Sequence, residues 1–94
     1  MSYYVYAIVE MIEEGCEPTP LVKIGISKNP EKRAEELAAG NSRGLEVFSK
    51  RDFKHYASAR SAETRIHAAL KYFQVYREWF HITPEGAAAV IEVA

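Results

Sequence analysis

Between Tyr3 and Val9 the chain alternates: Tyr3, Val5, Ala7 and Val9 fall on one side of an extended backbone, Tyr4, Tyr6 and Ile8 on the other. That period predicts a strand. It returns from Leu21 to Ser27, with Val22, Ile24 and Ile26 on one face and Lys23, Gly25 and Ser27 on the other. Met11 to Pro20, between them, is polar, acidic and interrupted by prolines, so the two strands are expected to form an antiparallel hairpin with a long acidic tip. Pairing the apolar faces sets Val5, Ala7 and Val9 beside Val22, Ile24 and Ile26. Tyr4, Tyr6, Lys23 and Gly25 then gather on the opposite face.

The period lengthens after Ser27. Asn29 reads as a helix N-cap, Pro30 as the first helical residue and Glu31 as a first-turn carboxylate suited to the helix dipole. Pro30, Ala34, Leu37 and Ala38 form the inward stripe, and Gly40 is expected to end the helix in the left-handed conformation. Arg33 lies about 40° around the helix from Leu37, at the border of that stripe. Asn41 to Gly44 reads as a loop and Leu45 to Phe53 as a third strand, its alternation blurred at Val47-Phe48. Ala57 to Phe73 carries the strongest helical pattern, with Ala59, Ala62, Ile66, Ala69, Leu70 and Phe73 in one stripe. Glu63 projects about 20° from Leu70, at the stripe's edge, and one turn before His67. Tyr76 to Ile82 is a dense aromatic segment expected to lie on the sheet as a short strand or turn. Thr83-Pro84-Glu85 starts a closing helix over Ala87 to Ile91. The expected fold class is α+β: one domain over residues 1–94, a small three-stranded antiparallel sheet flanked by helices, in the order β-β-α-β-α-(β)-α.

Composition narrows the function classes. Ninety-four residues suffice for one modest core, and 48% hydrophobic with 27% charged residues is ordinary for a soluble globular domain. No apolar run reaches membrane-spanning length, so no membrane partner is expected. The single cysteine, Cys16, excludes an intramolecular disulfide and a cysteine zinc site. The N-terminus lacks the pattern of a secretory signal, so the expected location is intracellular and cytoplasmic. The net charge of −1 hides an uneven distribution: residues 43–77 hold eight Lys/Arg against three Asp/Glu, and both flanking stretches are acidic. Such a basic middle suits phosphate, with Lys28, Arg43, Lys50, Arg60 and Arg77 as candidate nucleic-acid contacts. A solvated helix face is the alternative. Aromatic strands at an exposed edge leave a homodimer open.

A lysine and an arginine aimed at one shallow surface, Lys23 and Arg33, suit a phosphate as well, and Gly25 between them leaves room for close approach. Each residue also has a plain structural reading. Tyr6 can be strand packing, Lys23 a solvated residue on an open sheet face, and Arg33 a partner of Glu36 or Glu63. Glu63 and His67 can be an exposed helical pair.

The ordered set of these residues resembles the GIY-YIG nuclease superfamily, closest to its phage and bacterial DNA-binding-type branch. Tyr4-Val5-Tyr6 stands where that family has Gly-Ile-Tyr, and Lys23-Ile24-Gly25 where it has Tyr-Ile-Gly. Arg33 matches the helix arginine and Glu63 the metal-binding glutamate. Arg77-Glu78-Trp79-Phe80 matches the branch's terminal aromatic motif. The resemblance implies metal-dependent hydrolysis of DNA phosphodiesters. Tyr6 would take the proton of the attacking water, with Lys23 nearby to lower the tyrosine's pKa. Arg33 would hold the phosphate oxygens, Glu63 would bind Mg²⁺ or Mn²⁺, and His67 would position a water or the leaving group. Two other readings stay open: a DNA-binding module that keeps the fold without cleaving, and a phage-type module that binds a protein partner.

Overall fold

The computed structural model describes residues 2–10, 21–40 and 44–94. The acidic connection Met11 to Pro20 with Cys16, most of the Asn41 to Gly44 loop, and Arg43 lie outside the described residues. Two strands open the fold, β1 (Tyr3–Glu10) and β2 (Leu21–Ser27), followed by helix α1 (Pro30–Ala38) and strand β3 (Leu45–Phe53). Helix α2 (Tyr56–Ala69) leads through a 3₁₀ turn, Lys71–Phe73, into two short strands, β4 (Gln74–Tyr76) and β5 (Trp79–His81). Helix α3 (Pro84–Val93) closes the chain.

The sheet has five strands in the order β3-β1-β2-β5-β4, every described pairing antiparallel. The class is α+β as expected, but three strands is a correction: the aromatic segment folds as a hairpin, and β5 pairs with β2 through Leu21–Lys23. Two three-residue strands carry too little alternation to be read as separate elements. The β1–β2 register pairs Val5 with Ile26, Ala7 with Ile24 and Val9 with Val22, as the apolar faces require.

Both faces of the sheet are covered. Val5, Ala7, Val9, Val22, Ile24 and Phe80 pack against Ala59, Ala62, Ile66 and Leu70 of α2 and Ala87 and Ile91 of α3. On the opposite face Tyr6, Ile8 and Leu45 meet Ala34 of α1, with Leu37, Ala38 and Trp79 at the margin. None of the described helices is long and apolar enough to cross a membrane.

The helix ends follow local chemistry. The Asn29 side chain accepts from the Lys32 amide at 3.1 Å, and Thr83 accepts from the Gly86 amide, so both expected caps form. Two endings differ from expectation. Gly40 is not left-handed; α1 closes at Ala39 in right-handed geometry. Helix α2 stops at Ala69 and tightens into the 3₁₀ turn, so Ala69 and Phe73 leave the stripe and are exposed. At the far side Arg51 of β3 donates to the carbonyls of Ile91, Glu92 and Ala94 at 3.3, 3.2 and 2.6 Å, satisfying the end of α3.

Candidate functional site

The site forms where the sheet stops short. Strand β5 pairs with β2 only as far as Lys23, so among the described residues Ile24 to Ile26 has no partner strand on that side beyond the β4–β5 hairpin. Two polar groups seal the backbone where it opens: the Ile24 amide donates to the Glu78 carbonyl at 3.0 Å, and His67 Nε2 lies 3.1 Å from the Ile24 carbonyl. Only a protonated Nε2 can bond a carbonyl, so this contact fixes the His67 tautomer. Arg77, at the hairpin tip, takes a φ of 50°, a left-handed position that non-glycine residues seldom occupy. The next residue, Glu78, then faces back into the opening.

The result is a polar cleft of about 270 Å³ lined by Tyr6, Ile26, Arg33, Tyr56, Arg60, Glu63 and Glu78. Strand β1 supplies Tyr6, α1 supplies Arg33, α2 supplies Tyr56, Arg60 and Glu63, and the hairpin tip supplies Glu78. Three of the candidate catalytic residues, Tyr6, Arg33 and Glu63, therefore meet, and Arg60 joins them from the candidate nucleic-acid contacts.

Tyr6 reaches the cleft by crossing Gly25, its cross-strand partner. A Cβ on Gly25 would lie 2.5 Å from the Tyr6 hydroxyl and 2.9 Å from Cζ. The glycine thus makes room for the phenol of its own sheet, where the sequence left the close approach open to another backbone or a ligand. Burial chiefly, and the Glu78 and Glu63 carboxylates in addition, raise the Tyr6 pKa. The Arg33 guanidinium beside the hydroxyl works against them. The cation facing Tyr6 is thus Arg33. Lys23 is engaged elsewhere: buried at 7% exposure, its ammonium sits 2.5 Å from Glu78. It is not a solvated residue on an open face, because the hairpin covers it.

Glu63 is also buried, at 6% exposure, although it lies at the edge of the helical stripe. Burial raises its pKa most, and Glu78 adds to the rise; His67 and Arg60 oppose it. Its ion pair is with Arg60 at 3.1 Å, whereas Arg33 meets Glu36 at 3.5 Å. His67 stands behind Glu63, edge-on to Phe80 at 5.1 Å between ring centres, with one ring nitrogen committed to Ile24. Among the described residues no three His, Cys, Asp or Glu side chains are grouped to hold a metal ion. The donor set that exists, one buried carboxylate paired with Arg60 at the cleft, could serve only a cation that keeps most of its waters and takes one protein ligand, as Mg²⁺ does.

The remaining candidate contacts are dispersed. Lys28 lies over the Tyr3 ring at 5.4 Å, and Tyr3 stacks edge-on against Tyr56 at the cleft. Lys50 sits on the α1 side, 2.7 Å from Glu31 and over Tyr4. Arg77 covers Tyr76 at 5.4 Å. Sequence reasoning assigned no role to Tyr56 or Glu78. The signal for Glu78 was the Arg77-Glu78 dipeptide ahead of two aromatics, a hairpin tip; Tyr56 carried none.

A family model for the T5orf172 domain matches residues 3–94. The chain belongs to the T5orf172 domain family. This phage-associated, nucleic-acid-related family is akin to nuclease-type phage domains. The match spans every element of the T5orf172 fold described above, cleft included. No curated protein and no solved structure gives a significant match.

Proposed function

We propose that this T5orf172 domain is a small GIY-YIG-like nuclease that hydrolyses DNA phosphodiesters in the cleft between β1, α1, α2 and the hairpin tip. The observation that carries the proposal is the convergence of Tyr6, Arg33 and Glu63, from three separate elements, on one polar cleft. In this reading the Arg33 guanidinium binds the non-bridging phosphate oxygens, and Arg60 adds a second cation at the rim. Glu63 would hold a divalent cation, Mg²⁺ or Mn²⁺, whose charge polarises the phosphate and acidifies bound water. Tyr6 would act as a phenolate that takes the proton of the attacking water and becomes the phenol, and Arg33 would stabilise that phenolate beforehand, against the burial that disfavours it. Lys23 holds Glu78 in place, and His67 supports Glu63 from behind.

A nicking assay tests this reading. Supercoiled plasmid is incubated with Mg²⁺ or Mn²⁺ and either wild type or Glu63→Gln. Nicking by wild type alone is expected, with plasmid retention equal for both proteins. Equal nicking by the variant removes Glu63 from the chemistry.

One observation favours a second reading, a module that binds DNA without cutting it. Burial and the carboxylates hold Tyr6 as a neutral phenol, the wrong form for a base. Salt-sensitive plasmid retention with no nicking by wild type selects that reading; neither nicking nor retention selects a protein partner.

A further inference from the structure

We propose that the outer edge of the sheet, from Tyr72 through Tyr76, is a stacking platform for the bases of a single-stranded stretch of nucleic acid leading to the cleft. The proposal rests on the nucleic-acid reading above and adds the class of substrate.

Every residue from Lys71 to Arg77 is exposed. Tyr72 is 97% exposed, Tyr76 63%, Val75 61% and Phe73 50%, so four large apolar side chains face solvent within five positions. Sheet edges are ordinarily blunted by charge, and an apolar patch of this kind marks an interaction surface. The polar residues interspersed with it are Lys71, Gln74 and Arg77. The first carboxylate after it along the chain, Glu78, is paired with Lys23. The strip therefore presents rings and cations together, the chemistry that receives bases and phosphates. Arg77, with its guanidinium over the Tyr76 ring, already displays the stacked cation–aromatic arrangement.

A duplex hides its base faces inside the stack, so a ring platform selects unpaired bases. Continuity with the cleft gives the direction. Glu78 follows Arg77 and lines the cleft, and Tyr56, 53% exposed, offers a further ring in the same lining. A second copy of this chain fits the edge less well. Strand β4 has only three residues to pair, and a two-fold antiparallel contact centred there would bring Lys71 of one copy toward Arg77 of the other.

The test is fluorescence anisotropy with labelled oligothymidylate and a labelled duplex of the same length, without added metal. Wild type is compared with the double variant Tyr72→Ala/Tyr76→Ala. These side chains are exposed, so an unchanged thermal midpoint verifies folding. From the low end of base–aromatic stacking at each ring, the double variant is expected to lose about thirty-fold in single-strand affinity. Its duplex affinity is expected to stay within two-fold or so. Equal losses on both probes, or no loss on the single strand, overturn the platform; if duplex binding persists, the nucleic-acid reading survives that failure. Binding of neither probe by wild type overturns both. A concentration-dependent dimer in sedimentation that the double variant abolishes makes the strip a self-interface and also overturns the proposal.

Discussion

Replacing Gly25 by alanine tests the placement of Tyr6, on which the cleft depends. The added methyl would lie 2.5 Å from the phenol oxygen and 2.9 Å from Cζ, both inside contact distance. The ring must swing away, and it has little room to do so. Tyr6 is 2% exposed and packed among Ile8, Ala34 and Leu45. Overpacking of this kind costs about 1–3 kcal/mol, of which an off-rotamer ring accounts for roughly 0.5–1.5. In a domain of this length each kcal/mol moves the melting midpoint by about 4–8 °C, so Gly25→Ala is expected to melt at least about 4 °C below wild type. Thermal and urea unfolding of wild type, Gly25→Ala, Tyr6→Phe and the double variant then separate crowding from other causes. Tyr6→Phe removes the atom in the closest contact and leaves the one at Cζ. The alanine should therefore cost less in that background, with a coupling of about 0.5 kcal/mol or more, the scale for touching residues. Wild-type stability in Gly25→Ala, or strict additivity of the two changes, would show that the phenol does not cross Gly25.

Glu63 gives a prediction of opposite sign. Its pKa in the fold is raised above the ordinary 4.5, so the native state holds that proton more tightly and gains stability below the unfolded pKa; the gain is lost as pH rises through the folded pKa. Glu63→Gln is expected to flatten the dependence of the urea midpoint on pH between about 4 and 7 and to be no less stable than wild type at neutral pH; a variant that loses stability mainly near neutrality would refute the assignment. Arg51→Ala strips the donor from the last carbonyls of α3 and should cost about 1–2 kcal/mol in denaturant unfolding, while an unchanged midpoint would mean that the three contacts contribute nothing. Asn29→Ala should cost about 1 kcal/mol through the lost N-cap, and Asn29→Ser should recover most of it; equal losses in both would exclude capping as the cause.

The β1–β2 register, both proline-initiated helices and the extent of β3 were legible because each rests on local chemistry: alternation, an Asn or Thr cap, a proline at the first helical position. Arg33 and Glu63 were legible too, since helical period alone puts them at the border of an apolar stripe. What escaped depends on packing across the fold. Lys23 looks solvated from its own strand, and only the β4–β5 hairpin arriving over it makes it buried. Gly25 reads as a point of close approach for a backbone or a ligand until its cross-strand partner proves to be a tyrosine whose ring needs that space. The end of α2 was misplaced because Ala69, Leu70 and Phe73 continue the apolar count, while nothing in their identity announces that the backbone tightens after Ala69.

Electrostatics shows the same limit and bears directly on partner binding. The basic excess of residues 43–77 reads as a free positive footprint, yet part of it is engaged within the domain. Arg60 is paired with Glu63, Lys50 with Glu31, and Arg51 with the carbonyls that end α3. Of the cleft's own residues, Glu78 is tied to Lys23 and Arg33 meets Glu36. A phosphate entering there must compete with carboxylates already in place, so contacts made in the cleft add little to affinity beyond the pairs they break. The described cations that lie over rings instead of against carboxylates include Lys28 on Tyr3 and Arg77 on Tyr76. Tyr3 stacks on Tyr56 of the cleft and Arg77 precedes Glu78 of the cleft, and a polyanion can reach both cations without breaking an ion pair. Retention of nucleic acid should therefore depend on Lys28 and Arg77 more than on Lys23 or Lys50. Lys28→Ala or Arg77→Ala should each lower the slope of log affinity against log salt by about one. An equal drop from Lys50→Ala would mean that the Lys50–Glu31 pair opens readily, and that charge counted along the sequence predicts binding after all.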